Sequence, residues 1–469
     1  MGETAPSPNE LCGEAKLQET VGVRAPFNSY ITVFLLGTYA CALLFYAEYT
    51  IAGFTAFLVA WVVVPFLAAS DHILFNGRRL MRTGIIPVLW AKFSSKRTSL
   101  RISDIEQVDT QAVRVLRRGN RVHYRYRTCV RGRGVALCFT SHGENFRRLI
   151  AALLPRLNDE VLDARSLDLR TYPLDPKEVL MKASFAGIPG SDVIKATVTT
   201  RPSRMRGRVE SELDISEEGD NRVRYLADLG NELRLSGFLV RALECFRRAL
   251  LIQRRNGRLI YDLSRCLQSL AATERSPRLA RRSVAALKLA ERYADGNASL
   301  LARIGESFAQ MGDWRSAEKA FNRALDAGGD TFLATRGLAE TALRDGKVAH
   351  VIHRFAAAAN STLTPALRRW SRHEAIYYTH LNSDETYMEM EVGRVGLLET
   401  LQSLRRTLLR ITSFGLFVLA VGIAAADGLI TNVGWAISGI ALAVWLGLKI
   451  SSGLLSDRIA YDEIASDEQ

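Results

Sequence analysis

APFNSYITVFLLGTYACALLFYA (residues 25–47) and YTIAGFTAFLVAWVVVPFLAAS (residues 49–70) contain no charged residue and are separated only by Glu48. A helix needs about 20 apolar residues to cross a bilayer core, so the pair reads as a transmembrane hairpin. The arrangement recurs near the other end, where the uncharged runs 411–426 and 428–448 are split only by Asp427. The polar stretch between the hairpins, about residues 71–405, then forms one large block on a single side of a membrane.

Charge orients the block. The tips at Glu48 and Asp427 carry no Lys or Arg, whereas Arg78, Arg79 and Arg82 flank the block at one end and Arg405, Arg406 and Arg410 at the other. The positive-inside bias places the block and both termini in the cytoplasm. A cleaved signal peptide is not expected, because the first apolar run starts late and lacks a basic leader. The net charge of +13 is concentrated: residues 71–157 hold 18 basic against 5 acidic side chains, and residues 222–360 hold 24 against 14. The excess of Arg over Lys fits a GC-rich bacterial genome. Six cysteines (Cys12, Cys41, Cys129, Cys138, Cys245, Cys266) form no CxxC pair. In a reducing compartment they are expected as ordinary core or surface residues, neither disulfides nor zinc ligands.

From residue 96 to 142 the apolar positions alternate with period two, in Ser99-Leu-Arg-Ile, Val122-His-Tyr-Arg-Tyr-Arg-Thr and Val135-Ala-Leu-Cys-Phe. Such alternation predicts half-buried antiparallel strands. Arg117-Arg-Gly-Asn and Arg131-Gly-Arg-Gly supply turns. A helical period follows, with Phe146, Leu149, Ile150, Leu153 and Leu154 on one face. Strands closed by one amphipathic helix, directly after a membrane hairpin, resemble the bacterial pleckstrin-homology-like domains of small membrane proteins over about residues 74–158. The resemblance rests on element order and implies a small antiparallel β-barrel with a C-terminal helix. Its basic character makes Arg114, Arg117, Arg118 and Arg121 candidates for an anionic lipid headgroup or an acidic partner; a solvated face serving only membrane topology is the plainer reading.

Residues 159–220 mix a short helical stretch with loop, a basic run (201–208) and an acidic run (210–220). With few large apolar residues, they are expected to form a flexible connector.

Between 223 and 360 a pattern repeats. Leu226-x2-Leu229-Gly230-x2-Leu233 is followed by Gly237, Ala242, Phe246 and Ala249. Leu301-x2-Ile304-Gly305-x2-Phe308 is followed by Gly312, Ala317, Phe321 and Ala324. Leu338-Ala339-x2-Ala342 is followed by Gly346, Val351, Phe355 and Ala358. The last two are offset by about 34 residues, the tetratricopeptide period. Small residues at Gly230, Gly305 and Ala339 let paired helices approach, the phenylalanines fill the space beneath, and Gly237, Gly312 and Gly346 reverse the chain. These segments look like tetratricopeptide repeats. Residues 259–293 keep helical spacing without the full pattern and read as a degenerate repeat, which makes about four. The resemblance implies a concave groove for a protein partner. By position in the repeat pattern its lining is Arg224, Asn231, Arg234, Ala302, Glu306, Arg336 and Glu340, with packing of the array on its own chain as the competing expectation. The stretch 384–410 keeps helical spacing and is expected to run into the third membrane helix.

No catalytic set emerges. His350 and His353 have a metal-compatible spacing but no Cys or carboxylate partner nearby, so neither metal nor cofactor is expected. The fold expectation is a mostly α membrane protein: a tail (1–24), a hairpin (25–70), the basic barrel (71–158), a connector (159–220), an α-solenoid (221–360), capping helices (361–407), a second hairpin (408–450) and an acidic tail (451–469). The functional expectation is a non-enzymatic scaffold in the bacterial inner membrane that recruits a protein partner. Lipids serve as a second partner and nucleic acid does not; self-association is left open. The alternative is an accessory or gating subunit of a membrane transport or export complex.

Overall fold

The computed structural model describes residues 20–94, 97–118, 121–141, 143–172, 174–194, 217–294, 296–328, 332–456, 458–459 and 461. Cys12, the basic run 201–208, most of the acidic run 210–220 and the tail beyond 461 lie outside the described residues. The chain forms two compact units, one of residues 1–35 and 59–372, the other of 36–58 and 373–469. It is mostly helical, with two small antiparallel sheets. Four helices are long and apolar enough to cross a membrane: α1 (Asn28–Tyr46), α2 (Thr50–Ser70), α16 (Glu385–Ala424) and α17 (Gly428–Leu454). Pro65 lacks the N–H of a regular turn, and the helix just before it widens to a π turn at Val59–Val63.

The first sheet joins chain on both sides of the first hairpin. β1 (Val21–Arg24) precedes α1 and pairs antiparallel with β2 (His72–Phe75), which follows α2; β3 (Arg79–Thr83) and β4 (Ser99–Arg101) complete the order β1-β2-β3-β4. Part of the expected polar tail is therefore a strand, and its alternating Val21 and Val23 are the signal that marks it. At the foot of the hairpin, the Tyr30 hydroxyl donates to Asp71 Oδ2 at 3.0 Å, and Arg82 donates to both Asp71 oxygens at 3.0 and 2.6 Å. Ala25 N–H donates to Asp71 O at 3.1 Å. One carboxylate thus ties together the start of α1, the end of α2 and β3.

The second sheet, β5 (Gln107–Arg118), β6 (Arg121–Gly132) and β7 (Val135–Thr140), stands alone as a three-stranded antiparallel meander. The expected closed barrel is corrected: the strands divide into two open sheets, because β1 enters from before the hairpin and pairs at the outer edge of the first. The closing helix is present as α4 (Gly143–Leu153), and Phe146, Leu149, Ile150 and Leu153 are all buried. The expectation for Cys129 and Cys138 is also corrected. The β6–β7 register sets them directly opposite each other, and they form a disulfide.

The stretch expected as connector is folded from 159 to 194. Short helices α5 (Ala164–Thr171) and α6 (Pro176–Phe185) bury Leu169, Val179 and Ala183. The reason lies in local chemistry: Asp163 and Asp175 accept N-terminal N–H groups of these helices, so few apolar residues suffice to hold them.

Four helix pairs follow: α7 (Glu217–Leu235) with α8 (Leu239–Ile252), α9 (Gly257–Glu274) with α10 (Pro277–Arg292), α11 (Ala298–Gln310) with α12 (Trp314–Asp326), and α13 (Phe332–Arg344) with α14 (Val348–Ser361). A Cβ on Gly230 would sit 2.9 Å from the Phe246 ring, and one on Gly305 2.6 Å from Phe321. Gly337 of α13 marks a further close approach, to the preceding pair: a Cβ there would lie 2.3 Å from the Phe321 ring of α12, while Ala339 is fully buried. Gly237, Gly312 and Gly346 have φ of +85°, +81° and +72°, which glycine adopts without a Cβ clash. One apolar core runs from Val23, Ile73 and Phe75 through Val108, Phe139 and Leu149 to Leu235, Phe332 and Leu367 of the array side.

α15 (Pro365–Ser383) precedes α16, a single helix of 40 residues in the second unit. Its turn into α17 is capped by Asp427, which accepts from Leu429 N at 2.8 Å and Ile430 N at 3.2 Å. The two helices meet through small residues: an added Cβ on Gly415, Gly422 or Gly434 would lie 2.5–2.7 Å from the facing backbone. Close backbone approach of this kind is how membrane helices associate without a hydrophobic drive.

Candidate partner-binding groove

The positions read as groove lining divide into a half covered by α5 and an open half. In the covered half, α5 lies across α7 and α9, beside a cavity of about 400 Å³ lined by Arg114, Tyr124, Tyr126, Arg165, Arg234 and Ser269. Asp168 Oδ2 accepts from Arg234 Nη2 at 2.7 Å and from Arg265 Nη2 at 2.6 Å; its Oδ1 accepts from Arg265 Nη1 at 2.9 Å. Burial alone would raise the Asp168 carboxyl, but the two guanidiniums together outweigh it and hold the group down to about 2. Asn231 donates to Asp262 Oδ2 at 3.2 Å and accepts from Arg234. The Tyr126 hydroxyl of β6 donates to Leu235 O at 2.6 Å, and burial pushes that phenol well above its ordinary value. Val122 N–H donates to Gly237 O, and a Cβ on Gly237 would collide with Val122 O.

In the open half, Glu306, Arg336 and Glu340 line one cavity of about 300 Å³ with Asp109, Glu160 and Trp314. Glu306 accepts from Arg303 at 3.1 Å and Glu340 from Arg336 at 2.9 Å. Arg336 also lies 5.0 Å above the Trp370 ring. Carboxylates outnumber the one guanidinium on this lining, so it suits a cationic side chain. Asp163, on the same wall, is raised to about 6 by burial, with Glu306 and Asp109 adding to the rise against its bonds from Ser166. The wall is held in place from the array: Arg303 donates to Leu162 O and Asp159 O at 2.9 and 2.8 Å, and Thr362 donates to Glu160 at 2.7 Å.

Of the seven groove residues read from the sequence, the structure thus gathers Glu306, Arg336 and Glu340 on one open cavity, while Ala302 is buried in α11. Asn231 and Arg234 are buried under α5, and Arg224 is exposed on α7. The basic set also divides. Arg114 donates to Thr273 O at 2.7 Å, and Arg121 lies 5.0 Å above the Phe238 ring, where burial lowers its proton affinity. Both guanidiniums are engaged by the array. Arg117 and Arg118 occupy the end of β5, paired with Val122 and Arg121; their side chains lie outside the described residues. Sequence reasoning missed Asp163, Asp168 and Arg265. The available signal was Asp163 three residues before Ser166, an N-cap placement ahead of Leu167 and Leu169. Among the described residues no group of three or more His, Cys, Asp or Glu converges as a metal set.

No family description matches the chain, and no curated protein matches it. Among solved structures, the one described as "Crystal structure of MamA" is similar at 16% identity, covering 30% of this chain and 79% of that chain, with a TM-score of 0.26. At that score the likeness carries no argument about role.

Proposed function

We propose that this protein is a non-enzymatic membrane scaffold that holds a tetratricopeptide-like array at the bilayer and recruits a protein partner through the open half of its groove. The observation that carries the reading is the common core: residues of the strand entering the first hairpin and residues of the array side belong to one apolar cluster. A docking surface built this way moves with its anchor, which suits assembly of a membrane complex. The partner expected at the cavity presents a Lys or Arg side chain beside an apolar one, to meet Glu306, Glu340 and Trp314. The test is crosslinking and mass spectrometry of the full chain purified in mild detergent, alongside a Glu306→Lys/Glu340→Lys variant. A stoichiometric protein crosslinked beside the cavity, and reduced by about tenfold or more in the variant, is expected. Crosslinks confined to the chain itself in both forms would end the scaffold reading and move weight to the transport alternative.

The block is proposed to lie in the cytoplasm of a bacterial inner membrane, on the charge bias of Arg78, Arg79, Arg82, Arg405, Arg406 and Arg410. The Cys129–Cys138 pairing favours the opposite side, since disulfides persist in oxidising compartments. Alkylation in intact cells separates the two: free thiols at 129 and 138, labelled only after the membrane is permeabilised, support the cytoplasmic placement.

A further inference from the structure

α3 (Ile85–Ser94, sequence IIPVLWAKFS) is a ten-residue helix whose outward side chains have no protein to cover them among the described residues. Ile85, Ile86, Val88 and Leu89 are each 43–55 % exposed, as much as the lipid-facing side chains of a membrane helix such as Phe57 or Val62. The array helices expose far fewer. What places α3 is the β2–β3 hairpin. Its register sets Thr83 opposite His72, so the chain leaving α2 returns within a dozen residues to its starting point. A Cβ on Gly84 would lie 3.0 Å from Asp71 Cα, the residue that ends α2. From there α3 packs against the last turns of α2, Val64–Ser70, with Pro87 turned inward.

We infer that α3 is an interfacial helix: its Ile85, Ile86, Val88 and Leu89 face lies in the headgroup–acyl boundary of the bilayer that α1 and α2 cross. The occupant is lipid because the apolar face is continuous with the end of a membrane helix, and that end is by construction the bilayer surface. Lys92, on the same exposed side, reaches the headgroups while its methylenes stay with the apolar face. Such helices sit about 5–10 Å into the boundary. The role that follows is to hold the first sheet down on the membrane beside its hairpin, at a third point besides the β1–α1 and α2–β2 connections.

The inference rests on α1 and α2 spanning the membrane, and its test separates the two. A diazirine-bearing residue is placed singly at 88, 89, 57 and 318 in the full chain reconstituted in vesicles of phosphatidylethanolamine and phosphatidylglycerol. After illumination, lipid adducts are counted by mass. Lipid adducts at 88 and 89 comparable with those at 57, and on the order of tenfold above those at 318, are expected. Adducts at 57 with none above the 318 level at 88 and 89 would overturn the interfacial helix while leaving the span intact. No lipid adduct at 57 would overturn the span, and the inference with it. All four positions are exposed, so none of the replacements disturbs packing.

Discussion

The two halves of the array's groove lining are held by different physics. Over α7 and α9, a buried carboxylate bridges two arginines under α5, and the space left beside them is a cavity lined by Arg234, Tyr124, Tyr126 and Ser269. Between α11 and α13, the structure is held by shape. The Phe321 ring is gripped between Gly305 and Gly337, and the polar groups around it line a cavity. The lesson is that a repeat groove read from its pattern is a set of positions, and only the neighbouring chain decides which of them face a ligand.

The largest effect is expected at the covered half. Asp168→Ala leaves two guanidiniums buried side by side without their counter-ion, which costs about 3–5 kcal/mol. Denaturant unfolding in detergent measures it. A loss below about 1 kcal/mol would mean that α5 rests loosely on the array and that the groove opens along its whole length. Replacing the triad together (Asp168→Leu, Arg234→Met, Arg265→Met) is expected to recover most of the loss, because apolar side chains of similar size need no pairing. The Asp168 carboxyl is held low in the fold, so its stabilisation is full above about pH 4 and lost as pH falls toward 2.

Next in size is the grip on Phe321. Gly337→Ala puts a Cβ within 2.3 Å of a ring that Gly305 already confines from the other side. Overpacking of that kind costs about 1–3 kcal/mol. Gly312→Ala has open space around its Cβ but a left-handed φ of +81°, and about 1 kcal/mol is expected from backbone strain alone. If the two losses are equal, the ring is not confined and the open half is softer than its geometry.

Much of this contrast could be read from residue order, and the part that could not has a physical cause. The four apolar runs and the Gly–Ala–Phe spacing are local patterns, and helices follow from local pattern. The strand at 21–24 was hidden because its pairing partner lies beyond two long apolar helices, at 72–75. Cys129 and Cys138 were legible as strand residues but not as a pair, since their meeting depends on register. Asp168 was hidden most thoroughly. A carboxylate in a polar stretch looks like solvent-exposed connector until Arg234 and Arg265, far along the chain, converge on it.

The smallest effect sharpens the comparison most, because it separates folding from docking. Asp163 stands on the wall between the halves, capping α5 and facing the open cavity. Its carboxyl is raised to about 6, so between about pH 4 and 6 the fold keeps a proton that the unfolded chain has released. Stability contributed by this group is therefore full below about pH 4 and falls as pH rises through 6. Asp163→Asn keeps the cap and removes the slope. The difference between the two proteins is expected to grow by about 1–2 kcal/mol across that window, with the variant the more stable at pH 7. Glu306→Gln and Glu340→Gln sit on the same cavity but pair with Arg303 and Arg336 nearer the surface, and each is expected to change stability by no more than about 0.5 kcal/mol. If the glutamates prove as costly as Asp168, the cavity belongs to the fold. If Asp163→Asn flattens the slope and the glutamates move only partner capture, the wall is structural and the cavity is free to bind.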